Sequence, residues 1–284
     1  MLIWCFRVLS ALPLRLMQGL GALAGRIAVR ASPAFRRKVV DNLQTAGLYR
    51  PERVAASSSE TGKAAFETPF VWFRAPPDFA RRVRAEGLDA IRPERRGGKG
   101  LILLTPHLGC FEAAARVVAQ TQPITVLYKP PKHPAMRRLV EAARTGPNLR
   151  AAPATSAGVR TLFRALKRGE AIGVLPDQVP SDGDGVWAPF FGRPAYTMTL
   201  PQRLARLTGA AVMLASGERL PRGGGWVVRF EPLPGDAAPA SVNAALEMLI
   251  RRYPDQYFWG YNRYKPPPHA DSGRPASTPD GTGS

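Results

Sequence analysis

Apolar residues follow two rhythms along the chain. Short apolar runs bounded by Gly or Pro occur at LILLT (101–105), ITVLYKP (124–130), AIGVLP (171–176), AAVMLAS (210–216) and WVVRFEPL (226–233). Runs of this length and composition predict buried strands. Between them the spacing changes to three and four residues, as at Val159, Leu162, Phe163 and Leu166 within SAGVRTLFRALKRGE (156–170). That spacing predicts a helix with one apolar face. FEAAARVVAQ (111–120), PAMRRLVEAART (134–145), TLPQRLARLTG (199–209) and VNAALEMLIRRYP (242–254) read as further helices. Strands alternating with helices predict an α/β fold, a mostly parallel central sheet flanked by helices on both faces.

The two ends differ from this middle. Residues 31–95 read as helical, with breaks at Pro33, Pro51, Pro69 and the Pro76-Pro77 pair. Residues 1–30 are rich in apolar side chains, but Arg7, Arg15 and Arg26 interrupt them, and the longest uncharged piece is 16–25. A spanning helix needs roughly 20 nearly uncharged residues. The pattern therefore favours a membrane-associated helix lying at the interface, with Trp4 and Phe6 inserted and arginines at headgroup phosphates. A cleaved signal segment or a core helix are the alternatives. The expected organisation is an anchoring helix over 1–30, an α/β domain over 31–265, and a disordered tail rich in Pro, Gly and Ser over 266–284. RRGGKG (95–100) reads as a flexible connection.

Charge narrows the partners. Forty Lys and Arg against 21 Asp and Glu leave a formal net charge of +19, which favours polyanionic partners without choosing among them. The basic residues are dispersed and accompany no nucleic-acid-binding motif, so nucleic acid is not expected. Cys5 and Cys110 form no disulfide framework, which fits a reduced, cytosol-facing compartment. His107, His133 and His269 lie far apart, and neither HExxH nor CxxC occurs, so no metal site is expected.

One stretch carries chemistry. TPHLGCFE (105–112) follows the first predicted strand, at the strand end where open α/β sheets bind ligands. Within a helix a five-residue spacing would set His107 and Glu112 about 140° apart. They meet if His107 lies on the loop and Glu112 in the first helical turn. Glu112 would then fix the imidazole tautomer and leave the other nitrogen to take a proton. No protein nucleophile accompanies the pair, so the substrate is expected to bring its own hydroxyl. Rival readings are a structural histidine and a Cys110 thiol nucleophile acting with His107.

LLTPHLGCFE resembles the H-x4-[DE] motif of glycerolipid acyltransferases. The likeness continues through YKPPKHPAMRRLVEAARTG, GVRTLFRALKRGEAIGVLPDQVP, GVWAPFFGRPAYTMTLPQRLARLTGAAV and YPDQYFWGYNRYK, so the chain over about 1–265 is similar to the late acyltransferases of lipid A biosynthesis. That resemblance implies His107 and Glu112 as the catalytic dyad and acyl carrier protein as the thioester donor. It further implies a phosphorylated glycolipid acceptor, membrane lipids as surroundings, no cofactor, and the cytoplasmic face of a bacterial inner membrane. Arg144 would steady an oxyanion or a phosphate, and Asp177 would position that arginine or the acceptor. Phe190 and Phe191 would line an acyl channel or simply pack in the core. Other lipid acceptors (lysophospholipid, ornithine or polyene lipid) and a non-enzymatic basic binding protein remain as alternatives. Cys110-Phe111 stand where many members carry Asn-Trp, which leaves the acyl length open.

Overall fold

The structure, a computed structural model, describes residues 1–92 and 97–267. The expected tail lies outside those residues except for 266 and 267, as do His269 and the start of RRGGKG.

The centre is a seven-stranded sheet built from β1 (Val83–Glu86), β2 (Leu101–Leu104), β3 (Ile124–Tyr128), β4 (Leu149–Pro153), β5 (Ala171–Val174), β8 (Ala211–Arg219) and β9 (Trp226–Pro232). Its spatial order is β1-β9-β8-β2-β5-β3-β4. All pairings are parallel except β8 with β9. The mostly parallel α/β reading therefore stands. β2 and β5 are buried at every residue, as strands covered on both faces must be. Helices α6 (Phe111–Val118), α7 (Pro134–Ala143), α8 (Ser156–Lys167), α9 (Leu200–Thr208) and α10 (Pro239–Arg252) form the layers expected from the spacing. A separate hairpin, β6 (Gly185–Phe190) with β7 (Arg193–Met198), packs on α10. Its two-residue loop puts Phe191 at φ 49° and Gly192 at φ 74°. A bulky residue rarely adopts that conformation, and the Phe191 N–H is anchored on Glu247 Oε1 at 2.7 Å.

The N-terminal region departs from the sequence reading in two ways. The single helix expected over 1–30 is two, α1 (Leu2–Ser10) and α2 (Leu14–Ala31), bent by 116° at Pro13. No single helix among the described residues is long and apolar enough to cross a membrane, though this bent pair passes by length and composition. Over 31–95, α3 (Pro33–Thr45), α4 (Pro51–Phe73) and α5 (Pro76–Ala80) are helical, but β1 breaks the pattern. Pro69 lies inside α4, where its Cδ replaces a donor without ending the helix.

α2 lies against α4 at backbone distance. A Cβ built on Gly25 would stand 1.9 Å from Ser58 O, and one on Gly62 would stand 1.9 Å from Gly21 O. Small residues at these positions allow the approach, leaving Leu16, Leu20, Leu23 and Ile27 on the open face of α2.

Candidate active site

β2 and β5 are parallel neighbours with Leu104 opposite Val174. Beyond that register both chains exit alike, one as Thr105-Pro106-His107 and the other as Leu175-Pro176-Asp177. Equal exits from adjacent strands bring His107 and Asp177 together at the C-terminal edge of the sheet. His107 Nδ1 lies 2.8 Å from Asp177 Oδ1, and the His107 backbone N–H donates to Asp177 Oδ2 at 2.9 Å. The Asp177 side chain is only 2% exposed, against 19% for His107. Burial alone would raise the Asp177 pKa, but His107 and the buried cation Arg263 outweigh it and hold the carboxyl below the usual aspartate range. An ionised Asp177 accepts only, so Nδ1 carries a proton, and in the neutral ring it is Nε2 that holds the lone pair. The Gln178 amide nitrogen lies 3.2 Å from Nε2.

The expectation that Glu112 orients the imidazole is corrected here. Glu112 does stand in the first turn of α6, after a loop turned by Gly109 at φ 57°. Its carboxylate, however, receives Arg144 Nη2, while Asp177 occupies Nδ1 of the imidazole. The Phe111 ring packs against the imidazole, with centroids 4.9 Å apart. Arg144 sits at the C-cap of α7, with its guanidinium 5.9 Å from the centre of the Trp72 ring. Asp177 thus bonds to the histidine rather than the arginine, and Glu112 bonds to the arginine.

The thiol reading fails on burial. Cys110 is 4% exposed within the apolar cluster under α6. Burial and the neighbouring Glu67 push its thiol well above the ordinary range, which disfavours the thiolate a nucleophile needs. Phe190 and Phe191 are also buried, packed on each other and on Tyr264 and Trp259, so the core-packing reading holds for them.

His107 stands where two cavities meet. One, about 310 Å³, runs along α4 and is largely apolar, lined by Ala64, Ala65, Val71, Trp72, Phe111 and Phe258, with Glu60 and Glu67 at one part of its wall. The other, about 370 Å³, is walled by Trp72, Phe111, Leu127, Lys129, Arg144 and Gln178. It shares Leu127, Ala154, Pro180, Ser181 and Met198 with a third cavity of about 550 Å³ that carries Arg160 and Arg203. Among the described residues no group of His, Cys, Asp and Glu could hold a metal ion.

The loop bearing His107 is held from outside the sheet as well. Phe258 N–H donates to His107 O, Gly109 N–H to Gln256 O and Cys110 N–H to Gly217 O. YPDQYFW therefore acts as scaffold for the loop. Sequence reasoning missed Trp72, Gln178, Gln256 and Arg219. Gln178 was readable from its place beside Asp177; the other three reach the site only through the fold.

Comparison with known proteins gives the family. A palmitoleoyltransferase of lipid A biosynthesis from Escherichia coli K12 is 28% identical over 267 residues, 88% of this chain and 86% of the relative. The lauroyltransferase of lipid A biosynthesis from the same organism is 26% identical over 274 residues, 90% and 88% of the two chains. A lipid A biosynthesis acyltransferase from Haemophilus influenzae is 26% identical over 197 residues, 66% and 60%. The family model described as bacterial lipid A biosynthesis acyltransferase matches residues 1–266, and the chain belongs to that family.

Proposed function

We propose that the protein moves a fatty acyl chain from the thioester of acyl carrier protein to a hydroxyl of a phosphorylated lipid A precursor, at the cytoplasmic face of a bacterial inner membrane. The observation that carries this reading is His107 at the meeting point of an apolar cavity and a cation-lined one, with Nδ1 tied to buried Asp177. A two-substrate transfer needs such a junction, and the apolar side suits the acyl chain. The cation-lined side suits a phosphorylated headgroup.

In the proposed step, His107 Nε2 removes the proton from the acceptor hydroxyl as its oxygen attacks the thioester carbonyl carbon. The charge that develops on the carbonyl oxygen is stabilised by the Arg144 guanidinium, steadied in turn by Glu112. Collapse breaks the carbon–sulfur bond. The departing thiolate takes the proton back from the imidazolium, leaving ester, thiol and neutral His107. Asp177 holds the tautomer throughout and is not protonated. Glu112 thus belongs to the catalytic machinery through Arg144.

The N-terminal helices are proposed to lie on the bilayer with the apolar face of α2 inserted, so that the cavities open towards an amphiphilic acceptor. The test uses purified protein in mixed micelles with acyl carrier protein thioesters and a bis-phosphorylated acyl-diglucosamine acceptor. Mass spectrometry should find the acceptor heavier by one acyl group, with the product lost in His107→Ala. Transfer at the wild-type rate by that variant would remove the reading.

A further inference from the structure

Below the loop that presents His107 lies a buried ionic cluster the proposed reaction does not use. Arg219, at the end of β8, is 4% exposed, and Glu67 of α4 is 1% exposed. Arg219 Nε donates to Glu67 Oε2 at 2.9 Å and Nη2 to Glu67 Oε1 at 2.6 Å, while Nη1 reaches Glu60 Oε2 at 2.6 Å. Nη2 also donates to the Gly109 carbonyl at 3.0 Å. From the other side, Gln18 of α2 donates through Nε2 to Glu67 Oε2 at 2.7 Å. The backbone of Arg219 is fixed too, exchanging two hydrogen bonds with the Gln256 side chain at 2.7 and 3.0 Å.

Stability is a poor explanation for this arrangement, because a buried ion pair roughly offsets its own desolvation and apolar residues serve as well or better. What the cluster supplies is geometry. Gly109 is two residues from His107 and its φ of 57° turns the chain into α6. Its N–H is held by Gln256 O and its C=O by the Arg219 guanidinium, so its peptide neighbours are fixed in orientation from both sides. The same guanidinium is fixed by α4, whose Glu67 is fixed by α2.

We propose that Arg219 is a positioning residue of the active site, the centre of a Gln18–Glu67–Arg219–Gly109 relay through which the seating of the N-terminal helices sets the loop that presents His107. The proposal rests on His107 being the base of the acyl transfer. Lysine cannot replace the arginine here, since its three donors radiate from one atom whereas the guanidinium spends four of its five N–H groups on three partners.

The test compares full-length wild type with Arg219→Lys and with Gln18→Leu, which removes only the α2 link and keeps the ion pair. Arg168→Ala, in an exposed pair at the opposite end of the sheet, is the control. Protein labelled with 15N-histidine in micelles reports the His107 Nδ1 proton held by Asp177, assigned by its loss in His107→Gln. Turnover is measured alongside and divided by the folded fraction from thermal unfolding. The relay requires that this resonance move or broaden in both variants and not in the control. It also requires kcat per folded molecule to fall on the order of 30- to 100-fold in Arg219→Lys and about three- to tenfold in Gln18→Leu, with KM within about twofold. An unmoved resonance with kcat per folded molecule within about twofold of wild type in both variants would overturn it, whatever the unfolding midpoints do. Should the wild type turn over no thioester while the resonance still responds to both variants, the acyl-transfer reading fails and only the structural coupling of Gln18 and Arg219 to His107 stands.

Discussion

Asp177 accepts from the ring and from the backbone N–H of the same residue through its two oxygens, and an amide, with one acceptor oxygen, can keep only one of those bonds. An asparagine can turn its NH2 towards Nδ1, which draws the ring into the wrong tautomer and takes the lone pair away from the cavity. Asp177→Asn should therefore lower kcat by about 10²–10⁴ with little change in KM. Glu112→Gln leaves the imidazole alone and loosens Arg144, so a smaller loss of about 10–10² in kcat is expected. Steady-state rates with saturating acceptor separate the two; equal losses would put Glu112 back beside the histidine. Acid stability gives a second view of the same carboxylate. Its folded pKa lies below its unfolded value, so it contributes stability that is present above the unfolded value and is lost as pH falls through the folded one. Denaturant titrations at stepped pH should show part of the loss below about pH 4 in wild type. Asp177→Asn should lack that part. The place of His107 at the C-terminal end of a strand was legible from LLTPHLGCFE, because an apolar run closed by Pro106 reads as a buried strand giving way to a loop. Its partner was not, because it comes from 70 residues away and is chosen by which strands are neighbours. Only the repeated exit, Thr-Pro-His beside Leu-Pro-Asp, hinted at it.

Among the elements, α2 shows how one helix can serve two surfaces. Its glycine face presses on α4 and its opposite face exposes Leu16, Leu20, Leu23 and Ile27 to 47–57%, continuing with Trp4 and Val8 of α1. Because those side chains bury little within the protein, polar replacements should spare the fold and weaken the bilayer contact. Inserting each half-exposed leucine is worth about 1 kcal/mol, so Leu20→Ser with Leu23→Ser should reduce binding to anionic vesicles on the order of tenfold or more. Unfolding midpoints in detergent should stay put. Vesicle co-sedimentation reads the first and calorimetry the second; undiminished binding would deny α2 an interfacial role. The elements the sequence pattern failed to predict share a physical trait. β1 and β4 are the two edges of the sheet, with half-open burial patterns, and β6–β7 stands apart from it. An edge strand needs no continuous apolar run, so VRAE and LRAAP carry no strand rhythm. The central strands do need one, and each was placed to within a few residues of its observed ends. The break at Pro13 was visible as a residue but not as a bend, since proline is also at home in the first turn of a helix.

On the scale of the whole molecule, the surplus of +19 becomes informative once its members have addresses. Lys129, Arg160 and Arg203 border the continuous space that leads from His107 past Met198 to the first turns of α8 and α9, and among the described residues none of the three is engaged in an ion pair. Arginines that hold structure look different here: Arg219 and Arg263 are buried and hydrogen-bonded to protein groups, and their charge is not available to a ligand. Cations left free beside a cavity that opens on the base are suited to the phosphates of the acceptor. Reversing Arg160→Glu and Arg203→Glu together should then raise KM for a bis-phosphorylated acceptor on the order of tenfold at low salt, while leaving kcat unchanged, because these groups are remote from the reacting atoms. The penalty should shrink as ionic strength rises towards about 0.5 M, where screening acts over only a few ångströms. A dephosphorylated acceptor supplies the internal comparison, since its KM should be nearly indifferent to the reversal. If both acceptors lost affinity equally, the arginines would be shaping the cavity rather than reading its charge, and the phosphate groups would have to be met elsewhere, with Lys129 and Arg144 the remaining cations beside the base.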